Sequence, residues 1–261
     1  MQTKEPLAYL TPYFSEKISM KLSLITFAIL GIFSCKSSNS MLPDDPDKPM
    51  NENSTDNPDQ LTYLALGDSY TIGEGVSDAF RYPSQLITKL NAETEKSWAT
   101  PTVIARTGWT VDELDKGINA ADIAGKTYDL VTLSIGVNNQ YRGYPIAKFE
   151  TEFEQMLLRA ISFAGVNTKH VVVLSIPDWG VTPFAAQSGR DKSKIAEEID
   201  AYNRIKAKIC EKHAVTYIDI TAQYRSLGAQ PDMLAADGLH PSAKMYGLWT
   251  EKLFEEVRTV Y

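Results

Sequence analysis

Five short, β-rich apolar runs, separated by stretches of helical periodicity, constrain this chain more than any other feature. They fall at 62–66 (TYLAL), 102–106 (TVIAR), 129–135 (DLVTLSI), 170–176 (HVVVLSI) and 215–220 (VTYIDI). Runs that are nearly continuous in apolar character, instead of alternating, are what strands buried on both faces require. Between them, Phe149, Phe153, Met156, Leu157 and Ala160 recur at 3.6-residue spacing, and so do Ile195, Ile199, Tyr202, Ile205 and Ile209. A final stretch, 241–260, predicts a closing helix, with Pro241 in its first turn and Tyr246, Leu248, Trp249, Leu253 and Phe254 along it. Strands and helices in alternation predict an α/β domain over 61–261. Its expected architecture is three-layer α/β/α, flavodoxin-like, around a five-stranded parallel sheet.

The first sixty residues have another character. A charge-free run at 22–33 (LSLITFAILGIF) follows Met20-Lys21 and is too short for the ~20 residues that span a bilayer. A basic residue ahead of such a run predicts a secretory signal peptide, with Met20 as a plausible start. Its end, Ile32-Phe33-Ser34-Cys35, resembles a bacterial lipobox, which implies cleavage before Cys35 and lipidation of that residue. Residues 36–60 hold four prolines and six acids with few apolar side chains, the composition of a disordered linker. The domain plan is therefore 1–35 signal and lipobox, 36–60 linker and 61–261 folded domain. It predicts an exported, membrane-tethered protein.

Ligands of open parallel sheets bind at the carboxyl ends of the strands, so chemistry is sought there. The first predicted strand runs into Gly67-Asp68-Ser69-Tyr70, the second into Thr107-Gly108-Trp109 and the third into Gly136-Val137-Asn138-Asn139. Past the fifth lies Asp237-Gly238-Leu239-His240-Pro241. These are the parts of an acyl-transfer site. A serine hydroxyl needs a base to become a nucleophile, and imidazole suits that work. The imidazole in turn needs a partner that fixes its tautomer, a role Asp237 can fill from the same loop. The backbone N–H groups of Ser69 and Gly108 and the Asn138 amide are candidate donors to an oxyanion. Ser69 has a plainer alternative as a helix cap.

The set Gly67-Asp68-Ser69-Tyr70, Gly108, Gly136-x-Asn138 and Asp237-x-x-His240 resembles the SGNH, or GDSL-type, esterase/lipase family over the whole of 61–261. The resemblance implies Ser69 as nucleophile, His240 as base and Asp237 as its orienting acid. It also implies an oxyanion hole of Ser69, Gly108 and Asn138, with no cofactor and no metal. Two positions depart from the family pattern: Tyr70 stands where Leu is usual, and Asn139 where Asp is usual. The tail Gln140-Tyr141-Arg142-Gly143 is similar to that of lysophospholipase and arylesterase members.

Trp109 and Trp179 are the expected substrate contacts, with Tyr70, Tyr141, Tyr144 and Phe184 also just past strand ends and 177–184 as the rim of the cleft. His170 and His213 read as structural, and Cys210 as an inert core thiol. With 26 Lys+Arg against 33 Asp+Glu, a net charge of −7, the chain lacks the electrostatic footprint of a nucleic-acid binder. The expected activity is hydrolysis of a short acyl ester, such as an acetyl group on a carbohydrate. The alternatives are a lysophospholipase or thioesterase, or a non-catalytic binding lipoprotein.

Overall fold

A computed structural model describes residues 59–261. The expected signal region with Cys35, and nearly all of the expected linker, lie outside these residues. The elements run β1 (Tyr63–Gly67), α1 (Ser69–Ile72), α2 (Tyr82–Glu93), β2 (Thr102–Ala105), α3 (Val111–Ala120), β3 (Leu130–Ser134) and α4 (Val137–Tyr141). They continue through α5 (Ile146–Phe163), β4 (Val171–Leu174), α6 (Pro183–Ser188), α7 (Lys192–Lys212), β5 (Thr216–Ile218), α8 (Thr221–Leu227) and α9 (Ala243–Val257). The five strands pair in the order β2-β1-β3-β4-β5, every pair parallel.

Burial follows from that order. Every residue of β1, β3 and β4 is buried, whereas the edge strands β2 and β5 are largely half-exposed. Three of the five apolar runs read in the sequence are thus the middle of the sheet, covered on both faces, and the other two are its edges. Helices α2 and α9 pack on each other, and α3, α5 and α7 pack in succession. The faces predicted on α5 and α7 are their buried ones, with Ile205 only partly covered.

Helix α9 begins later than the sequence suggested. Ser242 caps it by accepting the Met245 N–H at 3.3 Å, so Pro241 stands just outside the helix, bridged antiparallel to Leu234. A hydroxyl cap outcompetes proline's preference for the first turn, because it satisfies an otherwise orphaned N–H.

The chain leaves β1 toward β2 on one side and then crosses back to β3 on the other. A crevice therefore opens between the carboxyl ends of β1 and β3, the topological switch point where ligands of such sheets bind.

Candidate active site

The turn leaving β1 is built around close approach. A Cβ on Gly67 would lie 2.3 Å from the Ser134 carbonyl of β3, so only glycine lets the two strand ends come together. Asp68 is the N-cap of α1, its carboxylate accepting the Tyr70 N–H at 3.0 Å. Capping is thus done by Asp68 and not by Ser69, whose hydroxyl is spared that task. Ser69 is the first residue of α1, so its N–H has no acceptor within the helix.

Asp68 is buried, and so is a second charged group whose field reaches it. Lys206 of α7 is fully buried and donates to the carbonyls of Ile135 at 2.9 Å and Leu174 at 2.7 Å, tying together the exits of β3 and β4. Burial lowers the Lys206 ammonium to about 8, with the Asp68 charge acting against that shift. Burial likewise raises Asp68 to about 7, offset in part by the Tyr70 N–H and by Lys206.

The loop before α9 carries the paired acid and imidazole. Asp237 Oδ2 lies 2.5 Å from His240 Nδ1, while Oδ1 accepts the Leu239 and His240 N–H groups, each at 2.9 Å. A carboxylate against Nδ1 keeps the proton there and leaves Nε2 as the working nitrogen. Burial pushes the Asp237 carboxyl up, but the bonds from His240 and Leu239 prevail and hold it below its ordinary value. The loop is pinned from outside by Phe184 N–H on the Gly238 carbonyl at 3.1 Å and by the Tyr224 hydroxyl on the Leu239 carbonyl. Tyr70, in place of the usual Leu, sets its ring 5.2 Å from the imidazole.

Ser69 and His240 line one cleft of about 180 Å³ together with Gly108, Asn138, Tyr70, Thr107, Val137, Tyr141, Trp179, Phe184 and Leu239. Gly108 adopts φ +87°, a conformation open to glycine at little cost, and among the described residues its N–H has no acceptor. The Asn138 amide donates one hydrogen to the Trp109 carbonyl at 2.9 Å, leaving its second hydrogen available. Asn139 keeps a loop bond despite replacing Asp, since its Oδ1 accepts the Val111 N–H at 3.1 Å, the first of α3. The cost is at Nδ2, which is buried without a partner.

The two tryptophans part company. Trp179 is buried in the cleft wall, its indole N–H held by Gln140 Oε1 at 2.8 Å, and Gln140 in turn donates to Glu198 at 2.7 Å. Trp109, expected at the substrate, instead lays its ring on α3, where a Cβ at Gly117 would fall 2.1 Å from it. Its ring is not part of the cleft lining, and its backbone carbonyl is what serves the site. The space left by Gly117 draws the indole away, a long-range fit that no local pattern shows. Tyr144 also stays outside the lining, while the 177–184 segment supplies Trp179 and Phe184 to it.

The remaining candidates lie elsewhere. His213 binds Glu154 at 2.6 Å and His170 stacks near Tyr261 at 5.2 Å. Cys210 is buried, and that burial pushes its thiol up to about 12. Among the described residues no cluster of three or more His, Cys, Asp or Glu is placed to hold a metal.

Hydrolysis of an ester by way of a serine is the chemistry such a cleft serves, and the fold and site together define the class: a serine ester hydrolase. The chain belongs to the GDSL-like lipase/acylhydrolase family, whose sequence model matches residues 65–248. Its fold is shared with solved structures of low identity. TesA is 19% identical, with 77% of this chain and 99% of that chain covered at a TM-score of 0.59. The lipase/acylhydrolase from Enterococcus faecalis is 20% identical over 77% and 96% of the two chains, TM-score 0.60. The acetylxylan esterase Axe2 from Geobacillus stearothermophilus is 20% identical over 76% and 94%, TM-score 0.58. Among curated proteins nothing matches the chain.

Proposed function

We propose that this protein hydrolyses short acyl esters, with an acetyl group carried on a carbohydrate as the leading substrate, through a Ser69–His240–Asp237 triad. The observation that carries the reading is the single cleft shared by Ser69 and His240, with Asp237 bound to the far nitrogen of the imidazole. In this mechanism Ser69 Oγ attacks the ester carbonyl as His240 Nε2 accepts its proton. The N–H groups of Ser69 and Gly108 and the Asn138 amide receive the oxyanion. His240 then passes the proton to the departing alkoxide, leaving an acyl-enzyme. A water deprotonated by the same imidazole attacks it, releasing the acid and restoring Ser69.

Two features support a short acyl group. The cleft, about 180 Å³, is well below the ~300–1,000 Å³ of sites for drug-sized ligands. Tyr141, Trp179 and Phe184 meet across its wall, with Tyr141 and Trp179 ring centres 5.2 Å apart and Trp179 and Phe184 6.1 Å apart. The similarity to an acetylxylan esterase supports a carbohydrate as the alcohol. The lipobox-like 32–35 segment supports an exported enzyme tethered through Cys35 to a membrane, where it meets extracellular glycans.

The test is turnover of p-nitrophenyl esters of two to twelve acyl carbons by the full chain, with Ser69→Ala as control. A maximum at two carbons, lost in the variant, is expected. A maximum at eight or more would replace the short-ester reading by a lipid or thioester substrate. Turnover untouched by Ser69→Ala would overturn the triad, and no turnover at all in folded protein would favour a binding role. Release from membranes in a Cys35→Ala variant checks the tether.

A further inference from the structure

The wall opposite His240 is held by one short helix. Helix α4 places three side chains on the segment that follows β2. Asn138, in its first turn, donates to the Trp109 carbonyl at 2.9 Å. Asn139 accepts the Val111 N–H at 3.1 Å. Arg142, the residue that ends the helix, donates through Nη2 to the Gly108 carbonyl at 2.5 Å and through Nη1 to Glu113 at 3.0 Å. Asn138 and Arg142 are four residues apart and therefore lie on one helical face.

Arg142 acts on the peptide unit that joins Gly108 to Trp109. That unit is fixed at its other end as well, because the Trp109 N–H donates to the Arg106 carbonyl at 3.2 Å. A peptide held through both its N–H and its C=O cannot rotate, which matters at Gly108 because glycine offers no steric barrier of its own. The N–H on the other side of Gly108 belongs to a residue that lines the cleft, and among the described residues it has no acceptor. Glu113 in turn is fixed by the capping box of α3, where it accepts the Thr110 N–H at 2.9 Å. The guanidinium is thus aimed by a carboxylate that is itself anchored to a helix end.

We propose that Arg142 is a positioning residue: its guanidinium, aimed by Glu113, locks the Gly108–Trp109 peptide so that the Gly108 N–H points at the developing oxyanion. This rests on the serine-esterase reading above. Arg142 touches no reacting atom, and its effect belongs to the transition state, where a donor misplaced by a fraction of an ångström loses most of its value.

The test compares wild type, Arg142→Ala and Arg142→Lys as full chains on a short p-nitrophenyl ester, together with the rate at which a fluorophosphonate labels Ser69, read by intact mass. Removing one oxyanion donor outright costs ~10²–10³ in kcat, so loosening one by Arg142→Ala is expected to cost ~10-fold to 100-fold in kcat with KM within about twofold. Labelling should slow in parallel, because phosphonylation develops charge on the same oxygen. Added guanidinium ion should restore part of the loss in Arg142→Ala and nothing in wild type, and Arg142→Lys should lie between the two. Unchanged kcat and labelling in folded Arg142→Ala would overturn the proposal. So would a loss that follows the melting temperature and resists guanidinium, the mark of a merely structural role. A wild type that Ser69→Ala leaves equally active, or that no fluorophosphonate labels, would overturn the triad and this inference with it, a result distinct from failure of Arg142 alone.

Discussion

The two walls of the cleft are made in opposite ways. The loop bearing Asp237 and His240 is wired within itself: four consecutive residues contain the carboxylate–imidazole hydrogen bond and both backbone bonds to the carboxylate. The wall proposed to receive the oxyanion has no such unity. It gathers Ser69 after β1, Gly108 after β2 and Asn138 after β3, and its bonds join residues about thirty positions apart in sequence. The pair's own bonds lie within one loop, which Phe184 and Tyr224 pin from outside, whereas the assembled wall exists only once the sheet has set the three strand ends side by side. The division suits the proposed mechanism, in which the imidazole shuttles protons while the donors stay still.

Breaking the local pair should have the largest effect. His240→Ala removes the base and is expected to lower kcat by ~10⁴-fold or more, and Asp237→Asn, which misdirects the tautomer, by up to ~10⁴-fold, both with the fold intact by circular dichroism.

Breaking the assembled wall at one donor should cost less. Asn138→Ala removes both the donor and the bond to the Trp109 carbonyl and is expected to lower kcat by ~10²–10³. Its neighbour acts differently. Asn139→Ala strands the buried Val111 N–H, so the expected result is a loss of ~1–3 kcal/mol in urea unfolding with a smaller change in kcat. If Asn139→Ala damaged kcat as much as Asn138→Ala, the wall would be a single cooperative unit and not a donor plus its supports.

The same division explains what the sequence made legible. The strands, the helical faces of α5 and α7, and the Asp237–His240 spacing are short-range patterns, and each leaves a mark within a few residues. Ser69, Gly108 and Asn138, each within three residues of the end of an apolar run, line one cleft. What escaped was long-range. The Trp109 ring turns onto α3 because Gly117 leaves room for it, and Trp179 is fixed by a relay through Gln140 to Glu198 on α7. Lys206 reads as one more polar position on an amphipathic helix until the sheet brings two strand-end carbonyls to its ammonium. The four-residue spacing of Asn138 and Arg142 was the single local sign of the clamp, and it acquires meaning only when the loop they share is known.

Beneath both walls, Asp68 gives the finest test. Its carboxylate is buried beside Ser69, and burial raises it to about 7 in the folded protein, against ~3.9 in an unfolded chain. Between those values the folded state holds a proton that the unfolded state has released. Stability contributed by this group is therefore greatest below about pH 4, falls as pH rises toward about 7, and is level above that. Asp68→Asn keeps an oxygen to accept the Tyr70 N–H while removing the titration. Its urea midpoint is expected to rise relative to wild type as pH goes from 4 to 7, with no further gain above. A difference between the two proteins that did not vary with pH would mean that Asp68 stays ionised on folding. The Lys206 charge would then be its compensating partner across the interior, and the two walls would rest on a buried ion pair.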